Sequence, residues 1–180
     1  MENMIVVPGL GGSGRDHWQS YWLRDRPSAV RVEQRDWERP DRDEWVAALD
    51  DTVARATGPV VLVAHSLGCH TVAHWADKHD APVRAALLVA PPDIEYSASH
   101  GAPIAGFGPP AANPLPFPTV LAASGSDPWA AIDQSRRLAE QWGARFVNLG
   151  DVGHVNPASG FGPWPQGEEL LRALLAETAD

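Results

Sequence analysis

The sequence predicts an α/β fold, a parallel sheet with helices on both faces, and two observations carry this expectation. First, short apolar segments alternate with longer helical stretches along the 180 residues, the pattern of βαβ units with right-handed crossovers. Second, several of the short segments are near-continuous runs of Val, Leu, Ile and Ala, as strands covered on both faces require. The length suits a single domain, 1–180, large enough to bury a core without disulfides or metal.

The strands are expected at Met4–Val7, Val30–Gln34, Val60–Val63, Ala85–Val89, Thr119–Ala123 and Arg145–Leu149. Helices are expected at about Asp16–Arg24, Asp43–Ala56, Leu67–Lys78, Trp129–Trp142 and Gln166–Glu177. Asp41 or Asp43 is placed to cap the second helix, and Gly143 to stop the fourth. One stretch breaks the rhythm. Pro91–Pro118 holds eight prolines and several glycines, so any regular structure inside it must be short. A loop of that length within a compact domain is usually functional.

Composition excludes several function classes. A net charge of −9, with 14 basic residues scattered along the chain, opposes nucleic-acid binding, which needs clustered Lys and Arg. Cys69 is the single cysteine, so no intrachain disulfide is possible. The N-terminal residues show no charged-then-apolar signal pattern, and no apolar run approaches about 18 residues. The expectation is a soluble, cytoplasmic protein without membrane insertion.

The segment Val60–Gly68 reads Val-Val-Leu-Val-Ala-His-Ser-Leu-Gly, a buried strand running straight into a helix. It resembles the nucleophile elbow of α/β hydrolases, Gly-x-Ser-x-Gly, with Ala64 in the first glycine position. Both flanking residues must be small there, because strand and helix approach closely at a strained serine. Ser66 is then the candidate nucleophile, although a serine at this point also serves as a helix N-cap. The N–H of Leu67, at the helix N-terminus, is one candidate oxyanion donor. The loop Pro8-Gly9-Leu10-Gly11-Gly12 after the first strand resembles the His-Gly-x loop of that fold, with Pro8 in place of His. By that match Leu10 supplies the second N–H, with Gly11 as the fallback. A phosphate-cradling role for the loop is disfavoured, since it lacks the Gly-Lys-Ser/Thr ending of a P-loop.

Asp127 closes the fifth strand's turn, Ser124-Gly125-Ser126-Asp127, and His154 follows the sixth strand in a Gly-His loop. Asp127 is the candidate orienting acid, preferred over Asp133 and Asp151, and His154 the candidate general base. The order Ser66, Asp127, His154 is the triad order of α/β hydrolases. All these features follow expected strands, at the edge where ligands bind in open α/β sheets. His70 and His74 sit four apart on the helix after the elbow, but no third ligand is evident. No metal and no cofactor are therefore expected, and Cys69 reads as a packed small side chain.

The whole chain is similar to the small serine hydrolases related to retinoblastoma-binding protein 9 and YdeN. The matching residues include Val7-Pro8-Gly9, Asp16-His17-Trp18, Ala64-His65-Ser66-Leu67-Gly68, Leu115-Pro116-Phe117-Pro118, Ser126-Asp127-Pro128, Gly153-His154-Val155-Asn156 and Ser159–Pro165. The resemblance implies a minimal α/β-hydrolase fold, a three-layer sandwich with a six-stranded parallel sheet in order 2-1-3-4-5-6 and no lid domain. It implies hydrolysis of a carboxylic ester, thioester or amide of a small-molecule acyl substrate. The animal namesake binds its partner through a Leu-x-Cys-x-Glu motif, which the residues around Cys69 do not match. The alternative is a protein-binding module that keeps the scaffold and does little catalysis.

The proline-rich loop leaves the fourth strand at the same edge as Ser66, so it is expected to roof the site. Phe107 in that loop, with Trp18, Trp129 and Trp164 on other active-edge loops, is the expected apolar wall of a small pocket.

Overall fold

The computed structural model describes residues 3–178. Its six strands are β1 (Asn3–Val7), β2 (Val30–Arg31), β3 (Val60–His65), β4 (Val83–Val89), β5 (Thr119–Ala123) and β6 (Arg145–Asn148). All neighbours pair in parallel, in the order β2-β1-β3-β4-β5-β6. Six helices accompany them: α1 (Trp18–Asp25), α2 (Arg42–Ala54), α3 (Leu67–Ala76), α4 (Ile94–Ser99), α5 (Ile132–Gln141) and α6 (Pro165–Glu177).

Alternation along the strands decides the layers, since successive side chains point to opposite faces. Ile5, Val7, Leu62, Ala64, Ala86, Leu88 and Leu121 pack with α2, α3 and α5 residues such as Leu49, Val72 and Leu138. Met4, Val6, Val61, Val63, Leu87, Val89 and Val120 pack with Trp18, Trp22, Leu171 and Leu174 from α1 and α6. Every residue of β3 and β5 is buried, which is why these strands read as continuous apolar runs.

Most bounds lie within two residues of the expected ones, and the end of β2 and the start of α5 differ by three. β2 keeps only Val30 and Arg31 instead of running to Gln34. It is an edge strand with Val30 exposed, and Gln34 bonds the Trp45 carbonyl, which draws the chain toward α2. α5 starts at Ile132 instead of Trp129, because the Asp127 carboxylate accepts the Trp129 N–H and holds a turn there. Its end is as expected: Gly143 takes φ +65°, and Ala144 donates to the Ala139 carbonyl in a Schellman closure. α1 begins at Trp18, capped by the His17 Nδ1, which accepts the Gln19 N–H. Asp41 caps α2 by accepting the Glu44 N–H.

Within Pro91–Pro118 the regular pieces are indeed short, α4 and a 3₁₀ turn at Ala105–Phe107. No helix among the described residues is long and apolar enough to cross a membrane.

Candidate active site

Ser66 stands between β3 and α3 with φ +54° and ψ −126°. That conformation strains a non-glycine residue by roughly 1–3 kcal/mol. It persists because the elbow is clamped from both sides. A Cβ on Gly68 would run into the carbonyl oxygens of Val7 and Pro8, so only glycine lets α3 dock against the end of β1. A Cβ on Gly9 would lie 2.8 Å from the Ser66 Cβ, which shows how closely the loop after β1 passes the serine. Gln19, fully buried, gives its side-chain amide to the carbonyls of Val7 and Val63, tying the ends of β1 and β3 together.

His154 joins the other two residues. Its Nε2 lies 3.0 Å from the Ser66 hydroxyl, and its Nδ1 lies 2.9 and 3.0 Å from the two carboxylate oxygens of Asp127. The Asp127 side chain is 3% exposed and that of His154 11%, so the contact is largely shielded from water. An anionic Asp127 accepts from Nδ1–H, which leaves Nε2 as the acceptor facing the serine. The two rival aspartates stay away. Asp151 is exposed and stands over Gly125, while Asp133 belongs to the first turn of α5.

The loops that carry Asp127 and His154 are stapled by residues that sequence reasoning missed. Ser124, fully buried, accepts the Val152 N–H at 2.9 Å, and Ser126 accepts the Gly153 N–H at 3.0 Å. Gly125 adds a backbone bond to the Gly150 carbonyl. Nothing in a Ser-Gly-Ser turn distinguishes this use from an ordinary turn, so the sequence held no signal for it.

Leu10 and Leu67 both line the cavity that holds Ser66 and His154. The Gly11 N–H is spent on the Trp37 carbonyl and the Gly12 N–H on the Gly9 carbonyl. The fallback donor in that loop is thereby engaged elsewhere, while Leu10 lines the cavity beside the elbow.

The cavity measures about 400 Å³. Pro92, Ser97, His100, Ala102 and Ile104 from the proline-rich loop form one side, and Trp129 and Asn156 contribute to the rest. Only the first half of the loop therefore faces the site. The second half turns down against the α2, α3 and α5 layer, where Ala111, Leu115 and Phe117 are buried.

Three of the four expected wall residues are elsewhere, and only Trp129 lines the cavity. Phe107 is fully buried beneath the loop, packed with Trp45 and Leu67. Trp18 and Trp164 meet edge to face at 5.1 Å in the layer of α1 and α6. Large aromatic rings bury more free energy against the core than at a half-open wall, and the position of a residue after a strand does not reveal which side of its loop it takes.

His70 and His74 each turn Nε2 to a backbone carbonyl of the proline-rich loop. The His70 Nε2 donates to the Pro92 carbonyl at 2.8 Å, and the His74 Nε2 donates to the Phe107 carbonyl at 2.9 Å. Both moor the proline-rich loop to α3. Burial pushes the His70 imidazole down to about 4, and it lowers His74 as well. Cys69 is buried with Sγ toward the Val89 carbonyl, and burial pushes its thiol up.

Behind the base, His65 and His17 form a second histidine group. The His65 Nε2 lies 2.8 Å from the His154 carbonyl oxygen, and its ring centroid is 4.6 Å from that of His17. Burial, then the neighbouring His154, pushes His17 down to about 4. Burial and the adjacent histidines hold His65 well below the ordinary value of 6.5. Both are neutral at pH 7. Val155, next to the base, sits at φ +51°, a strained position for a β-branched residue.

Comparison with known proteins agrees with this architecture. The serine hydrolase family model matches residues 4–173. The crystal structure of a protein designated a YdeN-like hydrolase from Pectobacterium atrosepticum is similar over 99% of this chain and 92% of its own, with 32% identity and a TM-score of 0.88. The ydeN gene product from B. subtilis is similar over 98% of this chain and 100% of its own, at 18% identity and a TM-score of 0.81. A thermophilic esterase from Thermogutta terrifontis shares the fold at 15% identity and a TM-score of 0.67, over 100% of this chain and 91% of its own. No curated protein matches the chain. With the family model spanning nearly its whole length and its sheet in the order of α/β hydrolases, the chain belongs to the serine hydrolase family.

Proposed function

We propose that the protein is a serine esterase acting on small, uncharged carboxylic esters through an acyl-serine intermediate. The observation that carries the reading is the position of His154 between Ser66 and Asp127, within hydrogen-bond distance of both. In this reading His154 Nε2 takes the proton of Ser66 as its oxygen attacks the carbonyl. The tetrahedral oxyanion is held by the N–H groups of Leu10 and Leu67, the latter at the N-terminus of α3. His154 then returns the proton to the departing alcohol. A water, deprotonated by the same imidazole, splits the acyl-serine and frees Ser66.

The chemistry of the cavity supports the substrate class. Among the described residues its wall is apolar or neutral polar, apart from His100 and His154. Neither a carboxylate to pair with a substrate ammonium nor a guanidinium to pair with a phosphate lines it, which favours esters over aminoacyl amides and nucleotide-bearing thioesters. Its volume of about 400 Å³ suits short and medium acyl chains.

Two measurements test this. A fluorophosphonate probe should label Ser66, because labelling requires an activated serine. A series of p-nitrophenyl esters should give its best kcat/KM at short or medium chains. No labelling refutes the enzyme reading, whereas labelling with a long-chain optimum refutes only the pocket assignment.

A further inference from the structure

The residues after His154 are held in a way that the triad itself does not require. Val155 is strained at φ +51°, and the carbonyls on either side of its Cα are each taken by a side-chain N–H from a distant element. The His154 carbonyl faces the His65 Nε2 at 2.8 Å, and the Val155 carbonyl accepts the Trp18 indole N–H at 3.0 Å. His65 directly precedes Ser66 in the chain, and Trp18 opens α1. Facing a carbonyl, the His65 Nε2 must carry its proton. His17 backs this pair, with its ring at 4.6 Å from that of His65 and 5.4 Å from that of Trp18. Trp18 is fully buried and His65 nearly so, so water does not compete for either bond.

Resting on the hydrolase reading, we propose that His65 and Trp18 are positioning residues that fix the backbone of the base loop and thereby hold the His154 imidazole on Ser66. Without the two N–H donors the peptide around Val155 is free to relax toward negative φ, which rotates the bond from which the His154 side chain springs. His65 has a particular advantage for the task. It occupies the last position of β3, so the same stretch of backbone aims the serine and measures the distance to its base.

The test uses His65→Phe, which keeps a ring and removes the N–H, and His65→Gln, whose amide nitrogen reaches about as far as Nε2. A base displaced by about 1 Å costs on the order of 10²-fold in rate. His65→Phe should therefore lose roughly that factor in kcat with KM little changed, and it should label more slowly with a fluorophosphonate. The low-field proton resonance of the His154–Asp127 hydrogen bond should broaden in this variant. His65→Gln should restore much of kcat. Trp18→Phe removes only the second N–H and should lower kcat in the same direction, so the test stands even where His65→Phe fails to fold. A folded His65→Phe or Trp18→Phe protein with wild-type kcat overturns the proposal. So does a kcat loss in His65→Phe that His65→Gln leaves unrepaired, which would mark the ring's packing as its contribution. A wild-type protein that neither labels nor turns over esters would instead defeat the hydrolase reading, and the two failures are distinct.

Discussion

Ser126 accepts the backbone N–H of Gly153 at 3.0 Å, so the turn that carries Asp127 is fastened to the loop that carries His154. Ser124, two residues earlier, makes the matching bond to the Val152 N–H. The separation between Asp127 and His154 is thus set by hydroxyl groups on one loop and amides on the other.

Ser124→Ala should cost stability and activity together. It leaves the part-buried Val152 and Ser126 amides without their shared acceptor, a loss of about 1 kcal/mol. Urea denaturation and kcat on one preparation check this, and a neutral effect on both would show that the staple carries no weight.

Ser66→Ala should abolish turnover, on the order of 10⁶-fold where such a nucleophile is removed, while the fold persists. Ser66→Gly should be equally inactive but more stable than Ser66→Ala by about 1 kcal/mol, because glycine accepts φ +54° without strain. Thermal melts of the two dead variants distinguish them. Equal melting temperatures would mean the elbow stores no strain.

Asp127→Asn should lower kcat on the order of 10⁴-fold by favouring the wrong His154 tautomer. Asp151→Asn should leave kcat nearly unchanged, since Asp151 is exposed and makes no bond to His154. The reverse pattern would reassign the acid.

Acid should destabilise the protein before its carboxylates titrate. His17 and His70 are both held at about 4 in the fold, against about 6.5 unfolded. Between these values the unfolded chain binds more protons than the native one, so stability falls as pH falls. Their contribution is fully present above pH 6.5 and is progressively lost down to about pH 4, amounting to about 3 kcal/mol for each ring. His65, also lowered by burial, acts in the same direction. Unfolding free energies that stay flat from pH 7 to 4.5 would contradict the burial of these rings as neutral groups.

The sheet was legible because β3, β5 and the stretch Ala85–Val89 of β4 are buried on both faces and are apolar along most of their length. The grouping of Ser66, Asp127 and His154 was legible because each follows the end of a strand, where chain order alone brings them to one edge. The pocket wall was not. Trp18, Phe107 and Trp164 occupy loops and helix starts at the active edge, yet each turns inward to fill the layers beneath. That choice depends on partners such as Trp45 and Val155, which are remote in the chain. The serine staples and the His65 bond were hidden for the same reason, since they join residues tens of positions apart whose types are ordinary.

The mooring of the proline-rich loop to α3 has a consequence for how substrate enters. Ser66 immediately precedes α3, and His70 and His74 on that helix grip the carbonyls of Pro92 and Phe107. Ser66 and this wall of the cavity are consequently tied to the same helix. For the proposed esterase the expected consequence is a mouth that stands open in the free protein, so that pre-steady-state turnover should show no lag from a closing flap.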